Sequence, residues 1–290
     1  MTEEANRRGV IAFLVLVFGI AWIAWGIPLL MRAGLESPLF KVAIIVAAFA
    51  PAVACFIVRK WVTREGFADG GLRLDLGRWP FYVLALLVPL AVAVGTILVA
   101  PAVGAGSADS ARALASLLPP ASQASNNVTA WVAVIMVLLG ASVLFTPILW
   151  GEEFGWRGYL QLRLFPGRPL LAAGATGLIW GIWHYPLLLG GTELPLHPVL
   201  VLILFPLGTI LYSIFFGWLR TQSGSIWAPS LAHSAVDNMR SPLVAALFAA
   251  QADKLGLALI GLALFGLVAV AVAVVERKSA IRFAPAVSPG

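Results

Sequence analysis

Apolar residues fall into long, nearly unbroken runs along this chain, separated by short polar stretches. A helix needs roughly 20 apolar residues to cross the hydrocarbon core of a bilayer, and several runs reach that length. The pattern predicts an all-α fold, a polytopic membrane bundle of about eight transmembrane helices. The predicted spans are 9–31, 39–58, 80–103, 129–150, 170–190, 199–219, 225–248 and 255–275, of which the seventh is the most interrupted by polar residues and proline.

The composition strengthens this prediction. Of the 290 residues, 61% are hydrophobic and only 11% are charged, a balance that excludes a water-soluble domain of this size. We therefore expect a multi-pass protein of the cell membrane, with the lipid bilayer as its main surroundings.

The distribution of basic residues predicts the orientation of the spans. If the spans alternate in direction, one side of the membrane collects most of the 19 lysines and arginines. The positive-inside rule then places both termini in the cytoplasm. Because these residues follow the predicted topology, the pI near 10 does not indicate a nucleic-acid partner. The side of the membrane opposite the termini collects only Arg32, Lys41, Arg112, Arg240 and Lys254.

The mixed-charge segment 59–79 is expected to be a solvated connector.

An acidic pair stands directly after the fourth predicted span. Carboxylates so close to hydrocarbon cost several kcal/mol, roughly, unless they are paired or functional. Glu153 and Arg157 are four residues apart, in the order that favours an ion pair along one helix face. Glu152 points about 100° away on the same helix and needs a partner elsewhere in the bundle. Gly151, Gly155 and Gly158 predict a bare helix face on which another backbone packs closely.

Two of the three histidines lie in later apolar runs. His184 shares a helix face with Gly177 and Gly181, whose spacing is typical of close helix packing, and Trp180 lies one turn before it. His233 and Asp237 are four residues apart and therefore share a face in the seventh predicted span.

The turn signal Pro166–Gly167 predicts a helical hairpin that brings two of these residues together. Glu152 lies about 15 residues before the turn and His184 about 17 after it, roughly 22–25 Å from the tip in each arm. We expect both side chains to face one another at one level. Hydropathy instead places Glu152 at the inner end of its span and His184 near the outer end of its own. The boundary of one of these two spans must therefore be wrong.

These side chains carry a recognisable chemistry. A carboxylate and an imidazole can hold and deprotonate a water molecule, and a second imidazole beside an acid or amide can stabilise an oxyanion. Hydrolysis of a peptide bond is one such reaction. Glu152, His184 and His233 are also a ligand set suited to zinc, with water as the fourth ligand. The His-Glu-x-x-His signature is absent, and no pattern indicates a serine or cysteine nucleophile.

Three motifs resemble those of the CPBP intramembrane proteases, a family that includes the type II CAAX prenyl endopeptidases and bacteriocin-processing or self-immunity proteins. The first, Glu-Glu-x-x-x-Arg, is matched by 152–157. The second, Phe-x-x-x-His, is matched by 180–184 with tryptophan in place of phenylalanine, a conservative aromatic change. The third, His-x-x-x-Asn or Asp, is matched by His233 and Asp237.

The resemblance implies a role for each matched residue. Glu152 would be the general base, assisted by His184, and His233 with Asp237 would stabilise the oxyanion. The remaining site residues, Glu153, Arg157, Trp180 and Asn238, would support them. The implied substrate is a membrane-associated peptide or a lipidated protein. The catalytic core would span 129–245. Residues 1–128 would form the first three helices and an outer loop, and residues 246–290 would form the last helix and a cytoplasmic tail.

Other functions remain open at this point. The same polar residues suit a proton or ion path in a transport protein, or a peptide-toxin immunity protein without enzymatic activity. A haem protein with His184 and His233 as axial ligands is a third alternative, although it leaves the acidic pair unexplained.

Overall fold

The computed structural model describes residues 2–117, 128–190, 196–248 and 252–282. These ranges contain α-helices, short 3₁₀ and π-helical turns and loops, and no β-strand. Part of the predicted outer loop, 118–127, and the tail 283–290 lie outside them. The α-helices are α1 (Glu3–Leu30), α2 (Pro38–Ile57), α3 (Trp79–Val99), α4 (Ser110–Leu117), α5 (Val128–Gly155), α6 (Gln161–Arg163), α7 (Pro169–Trp183), α8 (Tyr185–Leu189), α9 (Pro198–Ser223), α10 (Trp227–Ala235), α11 (Ser241–Leu247) and α12 (Lys254–Arg282).

Six helical segments in the described part of the chain are long and apolar enough to cross a membrane. The predicted all-α, multi-pass fold is therefore confirmed in its class. The predicted count of eight is not reproduced, because α7 has only 15 residues and the seventh predicted span is interrupted. The six segments are Glu3–Leu30, Pro38–Val62, Leu76–Val103, Val128–Arg163, Pro198–Ser223 and Lys254–Lys278.

The boundaries of the fourth and fifth predicted spans were wrong. Helix α5 does not end at 150 but continues through the π-turn Trp156–Leu160 to the end of α6. Hydropathy ends the span early because Glu152 and Arg157 are polar, yet both side chains are buried within the bundle. Helix α7 ends at Trp183, because Pro186 lacks the N–H that would continue its hydrogen-bond ladder.

The seventh predicted span is a composite. Helix α10 passes through the π-turn Val236–Arg240 into α11, so the helical hydrogen-bond register changes in the middle. Single π-turns inside α-helices occur frequently at functional sites. This one begins three residues after His233.

Glycines allow α7 to lie close against α9. A Cβ added at Gly177 would stand 2.6 Å from the Thr209 carbonyl oxygen, and one at Gly181 would stand 2.7 Å from the Cα of Pro206. The Ser213 hydroxyl also donates to the Ala173 carbonyl across this contact, at 2.6 Å. The packing role predicted for the two glycines is confirmed, and it fixes the helix that carries His184 against α9.

Gly177→Ala is expected to destabilise the protein by about 1–3 kcal/mol, since the added methyl group overpacks a backbone contact. Gly174→Ala is the matched control on the same helix, because a Cβ at Gly174 meets no atom within 4 Å. Thermal unfolding in detergent compares the two variants. Equal midpoints would contradict the assignment of the close contact to Gly177.

The bare face on α5 packs against α2. A Cβ on Gly151 would stand 2.8 Å from the Ala48 carbonyl oxygen, and one on Gly155 would stand 2.6 Å from the Pro51 carbonyl carbon. The predicted close approach is confirmed here as well. The contact holds the helix turn that carries Glu152 and Glu153 in place.

The segment after α2 is less solvated than its charges predict. The Arg59 side chain is fully buried and donates to Asp69 at 2.7 Å, while Arg163 donates to Glu65 at 2.7 Å. The Arg220 guanidinium donates to the Asp69 carbonyl. Partial burial would raise the pKa of the Asp69 carboxyl, but its bond to Arg59 holds that pKa below its usual range. These contacts tie the connector to the ends of three helices.

Candidate active site

A cavity of about 360 Å³ opens among α5, α7, α9, α10 and α12. Its wall combines polar residues with apolar side chains of α9 and α12, such as Leu204 and Leu262. The polar residues belong to segments far apart in the sequence, which the fold brings to one space. They are Glu152, Trp180, His184, Thr209, Tyr212, His233, Asp237 and Arg240.

Glu152 is buried, with 7% of its surface exposed, and faces this cavity. The Trp180 indole N–H donates to Glu152 Oε2 at 2.8 Å. The hydrogen bond occupies one carboxylate oxygen and fixes the orientation of the group. The partner that Glu152 needs from another helix is therefore Trp180, and Oε1 is left for a substrate or water.

Glu153 lies behind the cavity wall and forms the predicted ion pair. Arg157 donates to Glu153 Oε1 at 2.7 Å, and both side chains are completely buried. The same oxygen lies 2.9 Å from His233 Nδ1. Glu153 thus joins the first motif to the third, a link that the sequence spacing alone does not reveal. The Arg157 guanidinium carbon also lies 4.7 Å from the centroid of the Trp180 ring.

His184 lies at the end of α7, half-buried among aromatic rings. Its Nδ1 is 2.9 Å from the Trp180 carbonyl oxygen, so Nδ1–H donates to that carbonyl in the matching tautomer. The ring packs 4.7 Å from Trp183 and 5.1 Å from Phe205, measured between centroids. Nε2 is then the imidazole atom available for the cavity.

His233 is held from both sides. Its Nδ1 contacts Glu153, and its Nε2 lies 3.7 Å from Asp237 Oδ2. The Asp237 side chain keeps 53% of its surface exposed and lines the cavity. Asn238 is turned elsewhere, since its amide donates to the carbonyl and hydroxyl oxygens of Ser234 at 2.9 and 3.2 Å. Asn238 is not among the cavity-lining residues.

Two π-turns adjoin the site, at Trp156–Leu160 and Val236–Arg240. A π-turn inserts a residue into the helix and rotates the residues after it about the helix axis. Arg157 lies in the first turn and Asp237 in the second. The first turn contains Gly158, whereas Val236–Arg240 contains neither glycine nor proline, so the two turns share no residue pattern that would have predicted them.

The zinc alternative finds no support in the geometry. Across the described ranges, no group of three or more His, Cys, Asp or Glu side chains is arranged to hold a metal ion. The predicted ligands Glu152, His184 and His233 all line the cavity wall, but the Trp180 indole N–H already bonds Glu152 Oε2 and Glu153 lies at His233 Nδ1.

Fold and site together define a polytopic helical membrane protein with a buried acid–imidazole cavity. Residues 127–239 match the family model described as type II CAAX prenyl endopeptidase Rce1-like. No curated protein matches the chain. Residues 127–239 are therefore similar to an Rce1-like CAAX protease domain of the CPBP type, as the three motifs predicted, and a domain of this type is typical of an intramembrane protease.

Two features of the cavity do not emerge from the sequence. The second motif predicts a conservative aromatic replacement at Trp180, yet this residue supplies a hydrogen-bond donor that phenylalanine lacks. The charge pattern assigns Arg240 only to the topology, although Arg240 lines the cavity. One feature of the sequence could have indicated this position: Arg240 follows His233 by seven residues, which is two helical turns and places both residues on one helix face.

Proposed function

We propose that this protein is an intramembrane endopeptidase that hydrolyses a peptide bond of a membrane-associated peptide or lipidated protein. The observation that carries the proposal is the Glu152 carboxylate, which faces a cavity inside the bundle together with two imidazoles. A buried carboxylate that an indole N–H orients toward a cavity is suited to activating water.

In the proposed reaction Glu152 takes a proton from water as the oxygen attacks the scissile carbonyl carbon. His184 Nε2 orients this water. Glu152 then delivers the proton to the amide nitrogen as the C–N bond breaks, which gives a carboxylic acid and a free amine. Glu152 thereby returns to its ionised form, and the remaining proton of the acid product passes to the amine or to solvent.

We assign the oxyanion side to His233. As an imidazolium it donates Nδ1–H to Glu153 and presents Nε2–H toward the cavity, where a developing oxyanion would accept it. Asp237, 3.7 Å from Nε2, helps to stabilise this cation. Glu153 and Arg157 orient His233 from behind, and Asn238 has no direct part because its amide is engaged by Ser234.

We also propose the surroundings of the site. The catalytic core is 129–245, and the protein resides in the cell membrane. Both termini lie in the cytoplasm, because the distribution of basic residues favours that orientation. The 1–128 and 246–290 sections complete the bundle around the core.

The test uses purified protein in lipid nanodiscs with a library of apolar peptides, and mass spectrometry identifies the products. We expect internal cleavage by the wild type and none by Glu152→Gln. Absence of cleavage combined with Glu152-dependent ion flux in liposomes would replace the protease with the transport alternative, and a Soret band in the purified protein would favour the haem alternative.

Trp180→Phe is expected to lower kcat by about 10–150-fold, because it removes one hydrogen bond to a charged group, worth about 1.5–3 kcal/mol, and keeps an aromatic ring in place. Trp150→Phe is the matched control: its indole N–H is buried one helix turn from Phe154 without a hydrogen-bond partner among the described residues. Initial rates on a cleaved peptide compare them. Equal kcat values for both variants would show that the Trp180 bond does not position Glu152.

A further inference from the structure

Residues 69–73 of the connector after α2 form a strap across the turn between α9 and α10. Four main-chain carbonyl groups of the strap accept hydrogen bonds from this turn, those of Asp69, Gly71, Leu72 and Arg73. Their donors are, in the same order, the Arg220 guanidinium, the Ile226 backbone N–H, the Trp227 indole N–H and the Ser225 hydroxyl. All four acceptors are main-chain atoms, so the path of the strap decides the contact.

Arg220 is a buried cation whose hydrogen-bond partner is the strap. It lies in the last turn of α9, with 7% of its surface exposed, where the negative end of the helix dipole favours a cation. In the described part of the chain it forms no ion pair, and its Nε has no hydrogen-bond partner. Its guanidinium donates to the Asp69 carbonyl instead. A buried ionisable group in a membrane bundle often marks a function.

Gly71 allows the strap to pass directly over this guanidinium. Its φ is +70°, in the left-handed region that favours glycine. A Cβ at this position would stand 2.5 Å from Arg220 Cζ and 2.7 Å from Nη2. Both the backbone conformation and the available space therefore require glycine here, where the Gly71 carbonyl accepts from the Ile226 N–H at 2.8 Å.

The strap also contacts the helix that carries the acidic pair. A Cβ on Gly70 would stand 3.1 Å from a ring carbon of Phe154, the residue directly after Glu153. Arg59 donates to Asp69 Oδ1 at 2.7 Å and to the Gly158 carbonyl at 3.0 Å. The strap is thus fixed to α5 on one side and to the start of α10 on the other.

Helix α10 connects the strap to His233. The Ser225 hydroxyl that donates to the strap also accepts from the N–H of Trp227, the first residue of α10, at 3.2 Å. His233 follows Ile226 by seven residues, about 10 Å along the helix. A displacement of the helix start is therefore carried to the imidazole, and a misplacement of about 1 Å can cost about 100-fold in rate.

We propose that the strap, held by Arg220, positions α10 and thereby His233 for the reaction. This inference rests on the proposed endopeptidase function, in which His233 stabilises the oxyanion. Gly71 and Arg220 are positioning residues, since neither lines the cavity. The strap lies outside the matched residues 127–239, so the first part of the chain supplies a positioning element for the site.

Gly71→Ala and Gly104→Ala are a matched pair of variants. Both glycines have a positive φ, +70° and +73°, but a Cβ on Gly104 meets no atom within 4 Å. Both variants carry the backbone strain, and only Gly71→Ala displaces Arg220. We expect Gly71→Ala to lower kcat by about 10–100-fold relative to Gly104→Ala and to change KM by less than about threefold, because the oxyanion forms only in the transition state.

Arg220→Lys provides a rescue that a general loss of packing would not show. Lysine ends in a single rotating ammonium, which can turn away from the new methyl group and still donate to the Asp69 carbonyl. Gly71→Ala combined with Arg220→Lys should therefore recover most of the lost kcat, whereas Arg220→Met alone should lower kcat as Gly71→Ala does. Absence of any recovery would overturn the role of Arg220.

Hydrogen–deuterium exchange in lipid nanodiscs tests the strap without turnover. We expect faster exchange in α10, over Trp227–Ala235, for Gly71→Ala than for Gly104→Ala, with α7 unchanged in both. Equal exchange in α10, or equal kcat for the two variants, overturns the positioning role and leaves the endopeptidase proposal standing. If the wild type cleaves no peptide, the endopeptidase proposal fails and the catalytic role of the strap fails with it, while the exchange difference still decides whether the strap holds α10.

Discussion

Glu152→Gln is expected to lower kcat for peptide hydrolysis by about 10²–10⁴-fold, the range associated with loss of a general base. Glutamine keeps an acceptor oxygen for the Trp180 indole N–H, which now bonds Oε2 at 2.8 Å. The fold is therefore expected to survive, while the group that removes the proton from water is gone. Initial rates in detergent or nanodiscs measure the effect, and thermal unfolding verifies that the variant is intact.

Glu36→Gln is the matched control for this experiment. Glu36 is an exposed loop acid that pairs with Lys41 at 2.9 Å, so the same chemical change there should leave kcat unaltered. A Glu152→Gln protein that folds normally and retains a wild-type rate would remove Glu152 from the mechanism.

Arg157→Met is expected to produce the largest loss of stability, about 3–5 kcal/mol in the free energy of unfolding. The substitution removes the ion-pair partner of Glu153 and leaves a carboxylate with no exposed surface inside the bundle. It also removes the cation over the Trp180 ring. Denaturant-induced unfolding in mild detergent, or a thermal midpoint where unfolding is irreversible, measures the change.

A second substitution separates the buried charge from the loss of packing. Glu153→Gln combined with Arg157→Met removes both charges of the Glu153–Arg157 ion pair and keeps an oxygen that accepts from His233 Nδ1, so most of the lost stability should return. Arg73→Met, at an exposed arginine, should have little effect. If the double variant is as unstable as Arg157→Met alone, packing rather than charge explains the loss.

Much of the site was predictable because helical spacing carries it. The pairing of Glu153 with Arg157 follows from their separation of four residues, and the structure confirms it at 2.7 Å. The hairpin around Pro166–Gly167 predicted that Glu152 and His184 face one space, and both line the cavity. In each case the prediction depends on contacts along one helix or between adjacent helices.

The rest depends on long-range contacts. Hydropathy treats Arg157 as an end of a span, whereas Glu153 and aromatic rings of other helices neutralise and cover it. The bond between His233 and Glu153 joins residues 80 positions apart, which no local pattern encodes. The π-turn after His233 likewise has no residue signature, so the broken seventh span was predicted as one helix.

Comparative terminal proteomics tests the central claim most directly. Membranes from cells carrying the wild type or Glu152→Gln at equal abundance are compared for new peptide termini. We predict termini that appear only with the wild type, each from a membrane-associated peptide or protein, and they would identify the substrate. Identical sets of termini from both, with the wild type verified as folded, would contradict the assignment of this protein as an intramembrane protease.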